Sequence, residues 1–302
     1  MTRLSLPDPA TGWRALALAA YAAVALLALA GSCNSGHRTD GGTARRIVSI
    51  GGPVTETVYA LGAGDEVVAT DTSSVYPDAA TKLPQVGYQR TLTAEGILAQ
   101  QPDLVIVSAD AGPPAALEQL RTAGVTVAVM PPALTPAAAA ARIEAIGAAL
   151  GRDAPAKDLA ARLRRDAAAA IARVGHASPT AVLVYARGAG TLLLAGDETA
   201  GSAILALAGA RNGATGFTGF KPLSAEALIA AAPDVIVVPS RSLAGLGGEA
   251  GLLALPGVSD TPAGKTKRIV AIDDQLLLGF GPRLPQAIDE LSRRLAVVGT
   301  GS

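Results

Sequence analysis

Short runs of four or five apolar residues recur along most of this chain, each set apart by a longer stretch with helical spacing. "RIVSI" (46–50) reads as a strand. "GGPVTETVYALGAGDEV" follows as two glycines, Pro53 and a helix that closes at Gly62 or Gly64. "VVAT" (67–70) is a second strand. "LVIVS" (104–108) and "VTVAVM" (125–130) are further strands, separated by the helical "PAALEQLRTAG". Apolar runs this short, alternating with helices, point to an α/β fold with mainly parallel sheets.

The alternation breaks once. From Ala137 to Val174 there is almost no strand signal, and the run is rich in Ala, Leu, Arg and Glu. "GRDAP" (151–155) interrupts that run, and Pro155 suits the first turn of a new helix. That helix starts at Asp153 or Ala154 and reaches about Val174, roughly 20 residues or ~30 Å. Strands and helices then resume: "TAVLVYA" and "LLLAG" as strands, "SAILALAGA" as helix, "KRIVAID" as the last clear strand and "PRLPQAIDELSRRLAVV" as the last helix. The expected organisation is an N-terminal α/β lobe (46–150), a single long connecting helix (151–176) and a C-terminal α/β lobe (177–302).

One phrase is written twice. "LTAEGILAQQPDLVIV" (92–107) and "LSAEALIAAAPDVIVV" (223–238) repeat Leu, Ala, Glu, Pro and Asp in register. Local grammar explains each glutamate singly. Thr93 and Ser224 are helix caps, and Glu95 and Glu226 sit early in their helices, where carboxylates complement the dipole. It explains less well why the whole phrase recurs once in each lobe.

Charge and composition narrow the function. The 302 residues are 50% hydrophobic, and 25 Lys and Arg balance 25 Asp and Glu, so no basic surface argues for nucleic acid. Near the start, "ALALAAYAAVALLALA" (15–30) is uncharged, short for a membrane span and followed by small residues, as in a secretory signal peptide (1–32). Cys33, the single cysteine, ends "LALAGSC", which resembles a bacterial lipoprotein box whose cysteine is lipidated. Ala30 departs from the usual Leu, and ordinary cleavage after residue 30 or an uncleaved anchor are the alternatives. Each places residues 34–302 outside the cytoplasm. Residues 33–45 read as a flexible tether. One cysteine excludes an internal disulfide. No G-x-S-x-G, H-E-x-x-H or phosphate loop marks an enzyme, and "GLGGEAG" (245–251) does not fit a dinucleotide fingerprint. The two histidines, His37 and His176, are too few and too far apart for a divalent-metal carrier.

Several stretches together resemble the haem-binding proteins of bacterial haemin ABC importers: "RIVSIGGPVTETVYALGAGDEVVATDTSSVYP", "LPQVGYQRTLTAEGILAQQPDLVI", "TGFTGFKPLSAEALIAAAPDVIVV" and "LLLGFGPR" (276–283). The resemblance covers residues 46–298. It implies the two-lobed class III periplasmic-binding-protein fold shared with cobalamin- and siderophore-binding subunits, with ligand held between the lobes. It implies a monomeric, non-enzymatic carrier for which haem is cargo, delivered to a permease dimer. A siderophore or cobalamin carrier on the same fold is the alternative, and an exported α/β enzyme a remote one. By motif position, Glu95 and Glu226 would dock onto the permease. Glu56 in "PVTETVY" is a lesser docking candidate.

Haem needs an iron ligand, apolar walls and polar partners for its propionates. A tyrosinate suits ferric iron, and a nearby cation helps the phenol ionise. Tyr88 and Arg90 in "GYQR" would share one side of an extended stretch. The resemblance makes Tyr88 the iron ligand and Arg90 its support; the plain alternative is a half-buried loop tyrosine. Tyr76 in "SSVYPD" competes as ligand. Where some relatives carry a histidine, this chain has Arg187, which cannot ligate iron but suits a propionate. Tyr185 is nearby, with plain core packing in a strand as its alternative. Phe217, Phe220 and Phe280 are candidate walls, with core packing as the alternative for each. Lys221 and Arg283 are further propionate candidates.

Overall fold

The structure, a computed structural model, describes residues 45–187 and 191–296. The expected signal segment, Cys33, His37 and all but the last residue of the tether lie outside the described residues. So does the side chain of Arg187.

The first lobe is built on a four-stranded parallel sheet in the order β2-β1-β3-β4. Its strands are β1 (Ile47–Ile50), β2 (Val67–Thr70), β3 (Leu104–Ser108) and β4 (Thr126–Met130). Its helices are α1 (Gly52–Ala60), α2 (Asp78–Thr81), α3 (Ala94–Leu98), α4 (Pro114–Thr122) and α5 (Pro136–Leu150). β1 and β3 are buried at every position. That explains why they read as continuous apolar runs rather than alternating ones: helices cover both faces of a parallel sheet.

α6 (Asp153–Ala172) leads into the second lobe, starting where "GRDAP" places it and ending slightly before the expected Val174. α5 and α6 pack at very close range. A Cβ on Gly147 would lie 2.1 Å from the Cβ of Ala156, so this crossing accepts only glycine there. Arg164 on α6 pairs with Glu144 on α5 at 2.9 Å.

The second lobe carries β5 (Thr180–Arg187), β6 (Thr191–Ala195), β7 (Arg211–Asn212), β8 (Phe220–Pro222), β9 (Val235–Pro239) and β10 (Ile269–Ile272). Its sheet runs β10-β9-β5-β6-β8, with β7 pairing β5. β10, β9, β5 and β7 pair in parallel, whereas β6 pairs antiparallel to both β5 and β8. The helices are α7 (Ala200–Leu207), α8 (Ala225–Ala231), α9 (Ser240–Gly245), α10 (Gly248–Leu253), α11 (Pro262–Thr266), α12 (Asp274–Leu278) and α13 (Leu284–Ala296). Arg173, just past α6, makes a two-pronged ion pair with Asp289 of α13.

The repeated phrase has one physical form in both lobes. Thr93 and Ser224 cap α3 and α8 by accepting from the N–H three residues on. Gln101 and Ala232, each just before the proline, take positive φ. The aspartates after the prolines then tie down a neighbouring strand. Asp103 Oδ2 accepts the Arg46 N–H at 2.8 Å, and Asp234 Oδ2 accepts the Thr180 N–H at 2.9 Å. In return, the aspartate N–H groups donate to the carbonyls of the same two residues. Pro-Asp is therefore a clamp between the helix exit and the first strand of its sheet.

One apolar core joins the lobes. It runs from Ile47, Leu104 and Ile106 through Ile143, Ile146 and Leu163 to Leu183, Val237, Phe280 and Leu291, all buried. Side chains on the outer faces of the two sheets form two separate, smaller clusters. Lobes that share so continuous a core resist hinge motion, because packed interiors deform poorly.

Candidate functional site

Strand ends and loops of both lobes converge on a cleft of about 370 Å³. From the first lobe come Gly52 and Pro53, Thr72 to Val75 excluding Ser74, Tyr88 to Arg90, and Asp110. From the second come Tyr185 of β5, Ala200, Phe220 of β8, Arg241 of α9, and Asp274, Gln275, Leu278 and Gly279 around α12.

The loop that carries Tyr88 is held on both sides. Val86 N–H donates to the Thr70 carbonyl at 2.9 Å, and Thr72 N–H to the Gly87 carbonyl at 2.9 Å. On the far side, Gly112 N–H donates to Gln89 O at 2.9 Å and Leu92 N–H to Gly112 O at 2.8 Å. Between these anchors Tyr88 to Thr91 forms a tight turn, with Thr91 N–H donating to Tyr88 O. This differs from the extended stretch expected for "GYQR", because the chain must reverse here to reach both neighbours. Tyr88 and Arg90 nevertheless both line the cleft. The Arg90 guanidinium forms an ion pair with Asp110. Asp110 is in turn held by the Ser108 hydroxyl at 2.9 Å.

Behind the cleft wall, buried Asp71 organises the adjoining loop. Its carboxylate accepts from Gly51 N–H at 2.8 Å, Ser73 N–H at 2.9 Å and the Ser74 hydroxyl at 2.6 Å. "TDTSS" gave no sign of this role, since only the fold brings Gly51 back beside it.

A buried polar clasp crosses the cleft floor. Gln275 Nε2 donates to Gly52 O at 2.9 Å and to Glu56 Oε2 at 3.0 Å, and its Oε1 accepts from Val75 N–H. A Cβ on Gly52 would lie 2.8 Å from the Gln275 amide, so glycine lets the two lobes approach. Glu56 also accepts from the backbone N–H and the guanidinium of Arg283, each at 3.0 Å. Nearby, Arg142 donates to the Gly279 and Phe280 carbonyls at 2.8 and 2.7 Å. Burial lowers the Arg142 pKa to about 10, opposed by the charges of Glu56 and Asp110.

These contacts correct several sequence expectations. Glu56 is only 4% exposed and cannot dock on a permease; it is an interior partner of Arg283 and Gln275. Arg283 is committed to Glu56 and stacks 3.5 Å over the Tyr76 ring, so it is not a cleft cation. Tyr76 is likewise absent from the cleft lining. Phe280 is 1% exposed and fills the shared core rather than a cleft wall. Phe220 does line the cleft, its ring 6.1 Å from that of Tyr185. Side chains alternate along β8, so Lys221 turns the other way and sits 4.8 Å over the Phe217 ring, with both outside the cleft lining. His176 is exposed beyond α6. Tyr185 is a cleft residue as well as a core neighbour. Arg241, Asp274 and Gln275 are cleft residues that sequence reasoning missed.

The paired glutamates lie away from the cleft lining. Glu95 and Glu226 are exposed in the first turns of α3 and α8, and neither makes an ion pair among the described residues. Hydrogen bonds from its own backbone N–H and from Ser224 hold the Glu226 carboxyl below the usual range.

Residues 47–276 match the periplasmic binding protein family. The chain belongs to that family. This binding protein is 42% identical to the periplasmic heme-binding protein RhuT from Roseiflexus sp. RS-1, solved in apo form. That alignment has a TM-score of 0.82 and covers 85% of this chain and 99% of that one. It is 28% identical over 256 residues to the ABC transporter substrate-binding lipoprotein YvrC of Bacillus subtilis, covering 83% of this chain and 80% of YvrC. A vitamin B12-binding protein of Vibrio cholerae is 40% identical over 84 residues, which is 28% of this chain and 30% of that protein. The family consists of substrate-binding proteins of ABC transporters, not enzymes. No helix among the described residues is long and apolar enough to cross a membrane.

Proposed function

We propose that this binding protein captures ferric haem outside the cytoplasm and delivers it to an ABC importer, with the Tyr88 phenolate as iron ligand. The observation that carries this reading is a tyrosine presented into the inter-lobe cleft by a loop fixed from both sides. A phenol titrates near pH 10 in water, so ligation at neutral pH needs help from the ferric ion and a nearby cation. Arg90 supplies that cation. It gives one nitrogen to Asp110, and a guanidinium has five N–H donors, so others remain for the phenolate. Phe220 and Leu278 offer apolar surface to the macrocycle. The solved haem-binding relative, similar over nearly its whole length, supports the same cargo. Ferric haem titrated into purified protein is expected to bind saturably with a shifted Soret band. Absence of saturable binding would overturn the proposal.

Cobalamin is the second reading, favoured by the 84-residue similarity to a vitamin B12-binding protein. Cobalamin brings its own metal ligands and has less use for the Tyr88 and Arg90 pair.

In this reading Glu95 and Glu226, one exposed acid per lobe, register the protein on a two-part permease. Rim charges of this kind govern encounter and orientation. Ile229, 48% exposed on the helix that carries Glu226, adds apolar contact beside one of them. Cys33 is the proposed lipid anchor. The Glu95→Ala, Glu226→Ala double variant is expected to keep haem affinity within about twofold while transport falls roughly tenfold or more. Haem affinity and transport lost together would contradict the assignment.

A further inference from the structure

We propose that Asp110 sets the affinity of the cleft: it draws the Arg90 guanidinium away from the Tyr88 phenolate and so keeps bound haem releasable. This rests on the haem reading above and adds a restraint to that site.

Among the described residues, four charged side chains line the cleft: Arg90, Arg241, Asp110 and Asp274. The lining therefore carries no net charge, although ferric haem with both propionates ionised is a net anion. Asp110 pairs with Arg90, the cation two residues from the proposed iron ligand.

The pair is not needed to hold its loops. Gly112 N–H donates to Gln89 O at 2.9 Å and Leu92 N–H to Gly112 O at 2.8 Å, so main-chain bonds already join the loop of Arg90 to that of Asp110. Ala111 N–H donates to Ser108 O at 3.0 Å and closes the turn that carries Asp110. The two charged side chains are 45% and 43% exposed, and ion pairs so open to water contribute little to stability. Asp110 is nevertheless aimed. The hydroxyl of Ser108, buried at the end of β3, donates to Asp110 Oδ1 at 2.9 Å and leaves Oδ2 for the guanidinium. A carboxylate fixed in this way, yet adding little stability, is placed for its charge.

Electrostatics supplies the consequence. A guanidinium stabilises a phenolate–iron unit through its positive charge and its N–H donors. Asp110 takes one of those donors and offsets the charge, so only part of the Arg90 effect reaches Tyr88. A carrier must also pass its cargo on, and tighter binding mostly means slower release.

The test measures ferric haem affinity, and the rate of haem loss to excess apomyoglobin, for the full chain, Asp110→Asn, Arg90→Gln and the double variant. Asp110→Asn keeps the shape and removes the charge. It is expected to bind haem about tenfold more tightly and release it about tenfold more slowly, with the unfolding midpoint unchanged. Arg90→Gln is expected to bind more weakly, and Asp110→Asn added to it to bring no gain. Affinity unchanged or lowered in Asp110→Asn would overturn the assignment. So would an equal gain in the Arg90→Gln background, which would place the effect on the porphyrin rather than on Arg90. If the unaltered chain binds no haem, the haem reading itself fails and this inference falls with it.

Discussion

Tyr88→Phe is expected to weaken ferric haem binding by roughly a hundredfold, about 2.7 kcal/mol, and to remove the phenolate-to-iron charge-transfer band. The change deletes one oxygen. The ring still packs, and the loop is held by backbone bonds at Thr70, Thr72 and Gly112 that do not involve the side chain. Thermal unfolding should therefore stay where it is while the spectrum changes. Tyr185→Phe is the informative companion, because Tyr185 also lines the cleft and packs near Phe220. It is expected to keep the band. A band lost in Tyr185→Phe and kept in Tyr88→Phe would move the iron ligand to the second lobe.

Glu56→Ala is expected to destabilise the protein by about 3 to 4 kcal/mol, the cost of removing one partner from a buried ion pair. Glu56 is 4% exposed and accepts from the Gln275 amide and from both the backbone N–H and the guanidinium of Arg283, so its loss removes the acceptor of three donors at once. These bonds link α1 to α12 and to the start of α13, elements more than two hundred residues apart in the chain. Urea unfolding measures the loss, with Glu95→Ala as reference. An exposed glutamate of the same type should cost no more than about 0.5 kcal/mol. Equal effects of the two substitutions would show that the clasp contributes nothing to stability. Loosening the clasp should also lower haem affinity, because Gly52, Val75 and Gln275 belong both to it and to the cleft wall.

The fold was legible where local pattern decides structure. "LVIVS" and "VIVVP" are wholly buried strands, as uninterrupted apolar runs should be. The break at "GRDAP" started a helix because Gly151 can take the left-handed turn that ends α5. The repeated phrase proved to be the same capped helix, left-handed exit and aspartate clamp in each lobe. Local structure thus accounts for its threonine or serine, its proline and its aspartate. Beyond the cap contacts of Glu226 with Ser224 and its own N–H, it leaves both glutamates exposed and outside any ion pair among the described residues.

The site was less legible because clefts are assembled from distant loops. Tyr88 was visible through its motif. Arg241, Asp274 and Gln275 carry no local signature, since each gains its place only when β9 and α12 meet the first lobe. Phe280 and Arg283 sit in a glycine-rich stretch that reads as an open loop. Phe280 is nevertheless among the largest side chains available to a core poor in aromatics, and the core takes it. Phe220 and Lys221 separate only once β8, a three-residue strand, is recognised, because alternation then sends them to opposite faces.

Equilibrium titration of the purified chain with ferric haem, run with and without excess cyanocobalamin, tests haem capture most directly. Saturable haem binding with a phenolate charge-transfer band, unchanged by cobalamin, is the predicted result. Displacement of haem by cobalamin, or haem binding without that band, would contradict it.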